Sequence, residues 1–231
     1  MNGDGKARRR LLKAAAATLG LIGGVTASRV RAADDGVVPI FRPPVRPSGA
    51  IVPPRLVAAE IPPFVRPREA WNAAPQAQPY VAHTPARVSV HHTGSAYSGR
   101  PGPEQYLRNI QTFHVGPERE WEDIAYHFLV DLDGVVWAGR PATVRGNPSR
   151  FYDAMGYVLI CLLGDYGTQQ PTEAQLSSVC QTAAWVFKQY SLPDLPVTGH
   201  RDHVSTACPG DNVYRYIQDG SITRRTRSLL G

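Results

Sequence analysis

Residues able to hold a metal are concentrated in Thr198-Gly-His-Arg-Asp-His-Val-Ser-Thr-Ala-Cys-Pro-Gly-Asp211, where His200 and Cys208 stand eight positions apart and a Pro-Gly pair follows the cysteine. Imidazole and thiolate are ligand types that zinc favours, and a catalytic zinc keeps three protein ligands and one open position. A third ligand must then come from a stiff element elsewhere. Val88-Ser-Val-His-His-Thr93 offers one: it is built around β-branched residues, reads as a buried strand, and carries His91 and His92 at its C-terminal end. Successive strand residues point to opposite faces, so only one of the two histidines can face a shared ion. Zinc held by two imidazoles and a thiolate lowers the pKa of its water toward roughly 7 and polarises a carbonyl under attack. The sequence has no His-Glu-x-x-His pattern, which excludes the common metalloprotease arrangement.

The elements that must position these residues follow from apolar spacing. After Pro101 and Pro103, Glu104 to Phe113 places Leu107, Ile110 and Phe113 at three-residue steps, which predicts a helix with that apolar face, ended by Gly116-Pro117. Ile124–Val130 and Val135–Ala138 read as strands joined by the tight turn Asp131-Leu-Asp-Gly134. Tyr157 to Leu163 is a continuous apolar run, the pattern of a central strand. Thr172-Glu-Ala-Gln175 forms a capping box, and the helix behind it carries Leu176, Val179, Ala183, Val186 and Phe187 on one stripe. Pro196 to Thr198 reads as a short strand leading into His200. The alternation of strands and helices predicts a single α/β domain, a mixed central sheet flanked by α-helices.

Charge locates the rest. The chain of 231 residues has a net charge of +6. Residues 1–32 hold seven of the 25 Lys/Arg and one of the 19 Asp/Glu, which leaves 18 of each sign in the remainder. The body is therefore neutral, and a nucleic-acid partner is excluded on electrostatic grounds. Ala7-Arg-Arg-Arg-Leu-Leu-Lys13 resembles a twin-arginine export motif with Arg8 and Arg9 as the pair, followed by a mild apolar run from Ala14 to Ala27. That run is too short and too weakly apolar for a convincing membrane span. Val30-Arg-Ala32 suits cleavage after Ala32, and no cysteine lies near it to take a lipid. The expected organisation is a twin-arginine signal peptide over 1–32, a proline-rich linker over 33–62, and a zinc-binding domain over 63–231. The product is expected in the periplasm or outside the cell as a monomer without stable membrane insertion. Cys161 and Cys180 sit among apolar residues and read as buried free thiols rather than a disulfide.

His91-His-Thr93, Trp121-Glu-Asp-Ile-Ala-Tyr-His-Phe128, Asp133-Gly134, Gly139-Arg140, Leu162-Leu-Gly164, Gly199-His-Arg-Asp202 and Ala207-Cys-Pro-Gly210 occur in an order and approximate spacing that resemble the zinc amidases of the peptidoglycan recognition protein family, to which phage lysozyme-type amidases also belong. The resemblance spans roughly residues 63–220. It implies a zinc-dependent N-acetylmuramoyl-L-alanine amidase acting on peptidoglycan, with His91, His200 and Cys208 as zinc ligands. It also implies Tyr126 as a catalytic tyrosine that orients the attacking water or stabilises the tetrahedral intermediate, and Thr206 as a second polar residue near the oxyanion. His92, His83, His114, His127 and His203 are then structural or surface residues, and Trp121 packs. Arg140 either meets peptide carboxylates or forms a surface ion pair.

The resemblance departs at Val144-Arg-Gly-Asn-Pro-Ser-Arg-Phe-Tyr-Asp153, where many members carry Gly-Ala-His…Gly-Tyr-Asn along the groove. A non-catalytic peptidoglycan-binding module of the same fold is the competing expectation. Family receptors without activity commonly lack the cysteine equivalent to Cys208, and this chain retains it. A secreted zinc peptidase with another amide substrate is a third.

Overall fold

The computed structural model describes residues 51–52, 61–149 and 152–231, with side chains from Ile61 onward. The expected signal peptide, nearly all of the expected linker, and Arg150 and Phe151 lie outside the described residues. In chain order the elements are β1 (Ile51–Val52), β2 (Val65–Arg66), β3 (Tyr80–Val81), β4 (Arg87–His92), α1 (Pro103–Val115), β5 (Phe128–Val130), β6 (Val136–Ala138), β7 (Tyr157–Leu162), α2 (Glu173–Gln189), β8 (Thr198–Gly199), α3 (Asp211–Gln218) and α4 (Ser221–Ser228), with 3-10 turns at Arg68–Trp71 and His200–Asp202.

Six strands form one mixed sheet in the order β2-β6-β5-β7-β4-β8. The β5–β6 hairpin is antiparallel, and the other pairings are parallel. Strand β7 is interior and covered on both faces, which is why its run is apolar without alternation. Val158, Ile160 and Leu162 join Val88 and Val90 against α2, α3 and α4. Leu159 and Cys161 point the other way, into a second cluster with Leu107 of α1, Trp71, Tyr126 and Trp137. The sheet is thus a central layer between two helical layers. Helix α2 carries the predicted capping box, with Thr172 Oγ1 accepting from Gln175 N and Gln175 Oε1 accepting from Thr172 N, both at 3.1 Å. Among the described residues no helix is long and apolar enough to cross a membrane.

Four local readings differ from expectation. The buried line of α1 is Leu107, Gln111 and His114, while Phe113 is 46% exposed. The polar pair is buried because it is satisfied: Gln111 bonds Ala74 through both amide atoms and donates to Asp123 Oδ1, and His114 Nδ1 accepts from Ala125 N. Strand β5 begins at Phe128 rather than Ile124: the Ile124 and Ala125 amides and the Asp123 and Ile124 carbonyls bond to side chains, and backbone bonds to the neighbouring strand start only at His127, whose N–H donates to Leu159 O at 3.1 Å. Ile51–Val52, inside the segment read as linker, pairs antiparallel with Tyr80–Val81. A final helix, α4, was not legible as such and packs Ile222, Thr223 and Thr226 inward.

Candidate metal centre

Register alone brings two of the expected ligands together. Strands β4 and β8 are parallel with Ser89 beside Thr198 and Val90 beside Gly199. The next position in that register sets His91 beside His200, and their ring centroids lie 4.7 Å apart. Both imidazoles are buried, at 0% and 4% exposure. His92 points to the opposite face, as alternation requires: its Nδ1 accepts from Tyr166 N at 3.1 Å. Its backbone remains part of the site, because His92 N–H donates to Cys208 Sγ at 3.4 Å.

Cys208 arrives from the loop before α3. Arg201 N donates to Cys208 O at 3.1 Å, Cys208 N donates to Thr206 Oγ1 at 3.2 Å, and Gly210 N donates to Ala207 O at 2.7 Å. Gly210 has φ of +85°, and a Cβ there would lie 2.2 Å from the carbonyl carbon of Tyr166. Only glycine lets the loop press this closely on the Tyr166 backbone and bring the thiol over the strand ends.

The three donor groups lie within 4.8 Å of one another. Cys208 Sγ is 3.6 Å from His91 Nδ1. Tetrahedral zinc with a thiolate at about 2.3 Å and an imidazole at about 2.0–2.1 Å separates sulfur from nitrogen by about 3.5–3.6 Å. Nε2 of His91 and Nε2 of His200 are buried with no hydrogen-bond partner. Burial lowers the His91 pKa well below its ordinary value and the His200 pKa to about 4, so both present neutral lone pairs. Burial pushes the Cys208 thiol up to about 12, opposed by the His92 amide. A thiolate in this position needs a cation beside it. The donor set, its spacing and its electrostatics fit zinc, and the partial exposure of Cys208 leaves the cluster an open side.

Tyr126 is 8% exposed, with its ring centroid 5.6 Å from that of His91 and edge-on to His114 at 5.9 Å. Burial, with the Cys161 and Cys208 sulfurs nearby, raises its pKa well above the ordinary phenol value, so it is a neutral hydrogen-bond donor. The half-buried Thr206 sits in the Cys208 loop, where its oxygen accepts the Cys208 amide. The other histidines are structural: His83 Nε2 bonds Ala142 O at 2.8 Å, His127 Nε2 bonds Val144 O at 2.8 Å, and His203 Nε2 bonds Thr198 Oγ1 at 2.9 Å. Trp121 packs against His114, with ring centroids 4.8 Å apart and the planes tilted by 45°. Cys161 and Cys180 are buried free thiols. Arg140 is neither a peptide contact nor a surface pair, being 2% exposed and bonded to three backbone carbonyls.

Two features were not read from the sequence. Tyr152 stands 5.3 Å from the His200 ring and stacks on His203 at 5.4 Å and 12°, which closes the outer flank of the cluster. Tyr97 and Tyr106 stack at 4.3 Å and 7°, with Tyr106 Oη 3.4 Å from Thr93 Oγ1 beyond the end of β4. Contacts between residues this far apart in the chain leave no trace in periodicity. A surface pocket of about 480 Å³, lined by residues such as Phe64, Val136 and Gln181, lies away from these groups.

Residues 82–211 match the family model described as N-acetylmuramoyl-L-alanine amidase. The chain is 33% identical over 159 residues to peptidoglycan recognition protein 1 of Rattus norvegicus, covering 67% of this chain and 86% of that protein. It is 32% identical over 169 residues to N-acetylmuramoyl-L-alanine amidase of Sus scrofa, covering 68% of this chain but 27% of that longer protein. A human peptidoglycan recognition protein solved in complex with glycosamyl muramyl pentapeptide superposes with a TM-score of 0.60 at 26% identity, covering 68% of this chain and 95% of that one.

Proposed function

The chain belongs to the N-acetylmuramoyl-L-alanine amidase family, and from that premise we propose that it hydrolyses the amide bond between the lactyl group of N-acetylmuramic acid and L-alanine in peptidoglycan. The observation that carries this reading is the convergence of His91, His200 and Cys208 within 4.8 Å, with the neutral phenol of Tyr126 against His91. Zinc held by these three residues would supply a Lewis acid for the scissile carbonyl and a water of lowered pKa to attack it.

The chain's own residues do the rest. His91 and His200 are kept neutral and ready to ligate by burial, and the His92 amide holds the Cys208 sulfur in place. Tyr126 donates its phenolic hydrogen to the oxygen of the scissile carbonyl as negative charge develops there, and its raised pKa keeps that hydrogen in place. Thr206 Oγ1 accepts the Cys208 amide, which leaves its hydroxyl hydrogen free to donate to the developing oxyanion. Water adds to the carbonyl carbon, the C–N bond breaks, and the alanine nitrogen leaves as an amine after gaining a proton.

The rat relative is named for recognition and the human neighbour was solved with a muramyl peptide, which favours a binding role as the second reading. The presence of Cys208 beside both histidines supports catalysis over binding alone. Peptidoglycan lies outside the cytoplasmic membrane, so we also propose that Arg8 and Arg9 direct export by the twin-arginine route to the periplasm or beyond. The test is incubation of purified residues 33–231 with intact sacculi and mass spectrometry of the products. Release of stem peptides with a free L-alanine amine supports the amidase. Binding of sacculi without cleavage by zinc-loaded protein overturns it in favour of the binding module.

A further inference from the structure

The segment that carries Tyr126 into the site is buried, irregular and held by side chains. Asp123 Oδ1 accepts from its neighbour Ile124 N at 2.6 Å, and His114 Nδ1 accepts from Ala125 N at 3.1 Å. The carbonyls on this stretch converge on one guanidinium. Arg140 donates from Nε to Ile124 O at 2.7 Å, from Nη2 to Asp123 O at 3.0 Å, and from Nη1 to Arg145 O at 2.5 Å. Its backbone N–H donates to Tyr126 O at 2.9 Å. The preceding Gly139 makes this approach feasible: a Cβ there would lie 2.1 Å from Tyr126 O. Glu122 lies 3.6 Å from Arg140 Nη1, and Asp123 is itself anchored by Arg68 at 2.8 Å and Tyr80 Oη at 2.5 Å.

We propose that Arg140 is the positioning residue for Tyr126: its buried guanidinium takes the Asp123 and Ile124 carbonyls in place of a strand partner, its backbone amide takes Tyr126 O, and together they set where the phenol stands against the metal ligands. A lysine keeps the charge but offers one point of donation where the planar fork reaches three carbonyls. The consequence is local, because the parallel pairing of β4 with β7, which carries His91, shares no hydrogen bond with Arg140. The kinetic part of the test rests on the amidase reading, and the exchange part does not.

The experiment uses Arg140→Lys in the mature protein. Glu122→Gln, which keeps the shape and removes the carboxylate beside the guanidinium, repeats it should Arg140→Lys not fold. In metal-free protein, amide hydrogen exchange at Ile124 and Ala125 is expected to quicken at least about tenfold while Val88–His91 and Val158–Ile160 stay unchanged. Zinc content is expected to remain that of wild type. On sacculi, kcat is expected to fall about 10- to 100-fold with little change in KM. In a Tyr126→Phe background the same substitution is expected to cost less than about twofold, because the group it positions is gone. Unchanged exchange at Ile124 and Ala125, or equal loss of protection across the whole sheet, overturns the proposal, as do kinetic losses that multiply in the double variant. If wild type cleaves nothing, the amidase reading falls, and the exchange pattern alone decides whether Arg140 sets the Tyr126 segment.

Discussion

Loading the metal-free protein with zinc tests the site directly, because the protons released count the ligands that must give one up. Ligands bind in deprotonated form. Burial holds the His91 pKa well below its ordinary value, the His200 pKa at about 4 and the Cys208 pKa at about 12. At about pH 5.5 an imidazole with a pKa near 4 is only about 3% protonated, against about 90% for an ordinary one. Zinc uptake should therefore release about one proton, from Cys208, at about pH 5.5, rising toward about two at about pH 7.5 as a bound water with a pKa near 7 also ionises, and apparent affinity should rise about 400-fold over that window. Imidazoles with ordinary pKa values would each add about another tenfold, for about 4 × 10⁴-fold in all, and would bring the release at about pH 5.5 close to three protons. Calorimetry in buffers of different ionisation heat reads the number. Nearly three protons at the acid end would show that burial does not hold the histidines neutral. No release at about pH 5.5, where a bound water is still un-ionised, would show that the thiol is not a ligand. Cys208→Ser should bind zinc far more weakly and release almost none at about pH 5.5.

Tyr126→Phe should retain wild-type zinc content yet lose turnover on the order of 10²–10⁴-fold in a muropeptide cleavage assay, because it removes one hydrogen-bond donor and no ligand. Replacing Arg8 and Arg9 by lysine should leave the protein in the cytoplasm on cell fractionation; undiminished mature protein outside it would remove the export proposal. Deleting residues 33–50 should move the unfolding free energy by no more than about 0.5 kcal/mol in urea titrations. Extending the deletion through Val52 removes the pairing of β1 with Tyr80–Val81 and should lower the free energy measurably further.

What was legible in the sequence was whatever a single element reveals about itself. The β7 run, the α2 stripe with its Thr172–Gln175 box, and the β5–β6 turn each depend on near neighbours, and each formed. His200 and Cys208 were legible because two metal-binding side chains lie close in the chain, and His91 because a strand end with two adjacent histidines is distinctive. Helix α1 misled because periodicity assumes that apolar residues are the ones buried. Gln111 and His114 occupy that face instead, each paid for by hydrogen bonds to residues 37 and 11 positions away. Arg140 misled for the same reason: an arginine reads as a surface residue until the three carbonyls that enclose it are known.

The two halves of the site are therefore stabilised in different ways. His91 and His200 sit at the carboxyl ends of adjacent parallel strands, and β4 is locked to β7 over six residue pairs, from Arg87–Tyr157 to His92–Leu162. Their separation is set by backbone register, which side-chain substitutions elsewhere do not shift. Tyr126 has no such ladder before it: its carbonyl is held by the Arg140 amide, and the residues before it by Asp123, His114, the Arg140 guanidinium and the Asn147 amide. Metal capture and turnover should accordingly respond to different mutations. Changes in the β4–β8 ends or the Gly210 loop should disturb zinc binding first. Changes in the Asp123–Arg140 network should leave zinc in place and act on the rate.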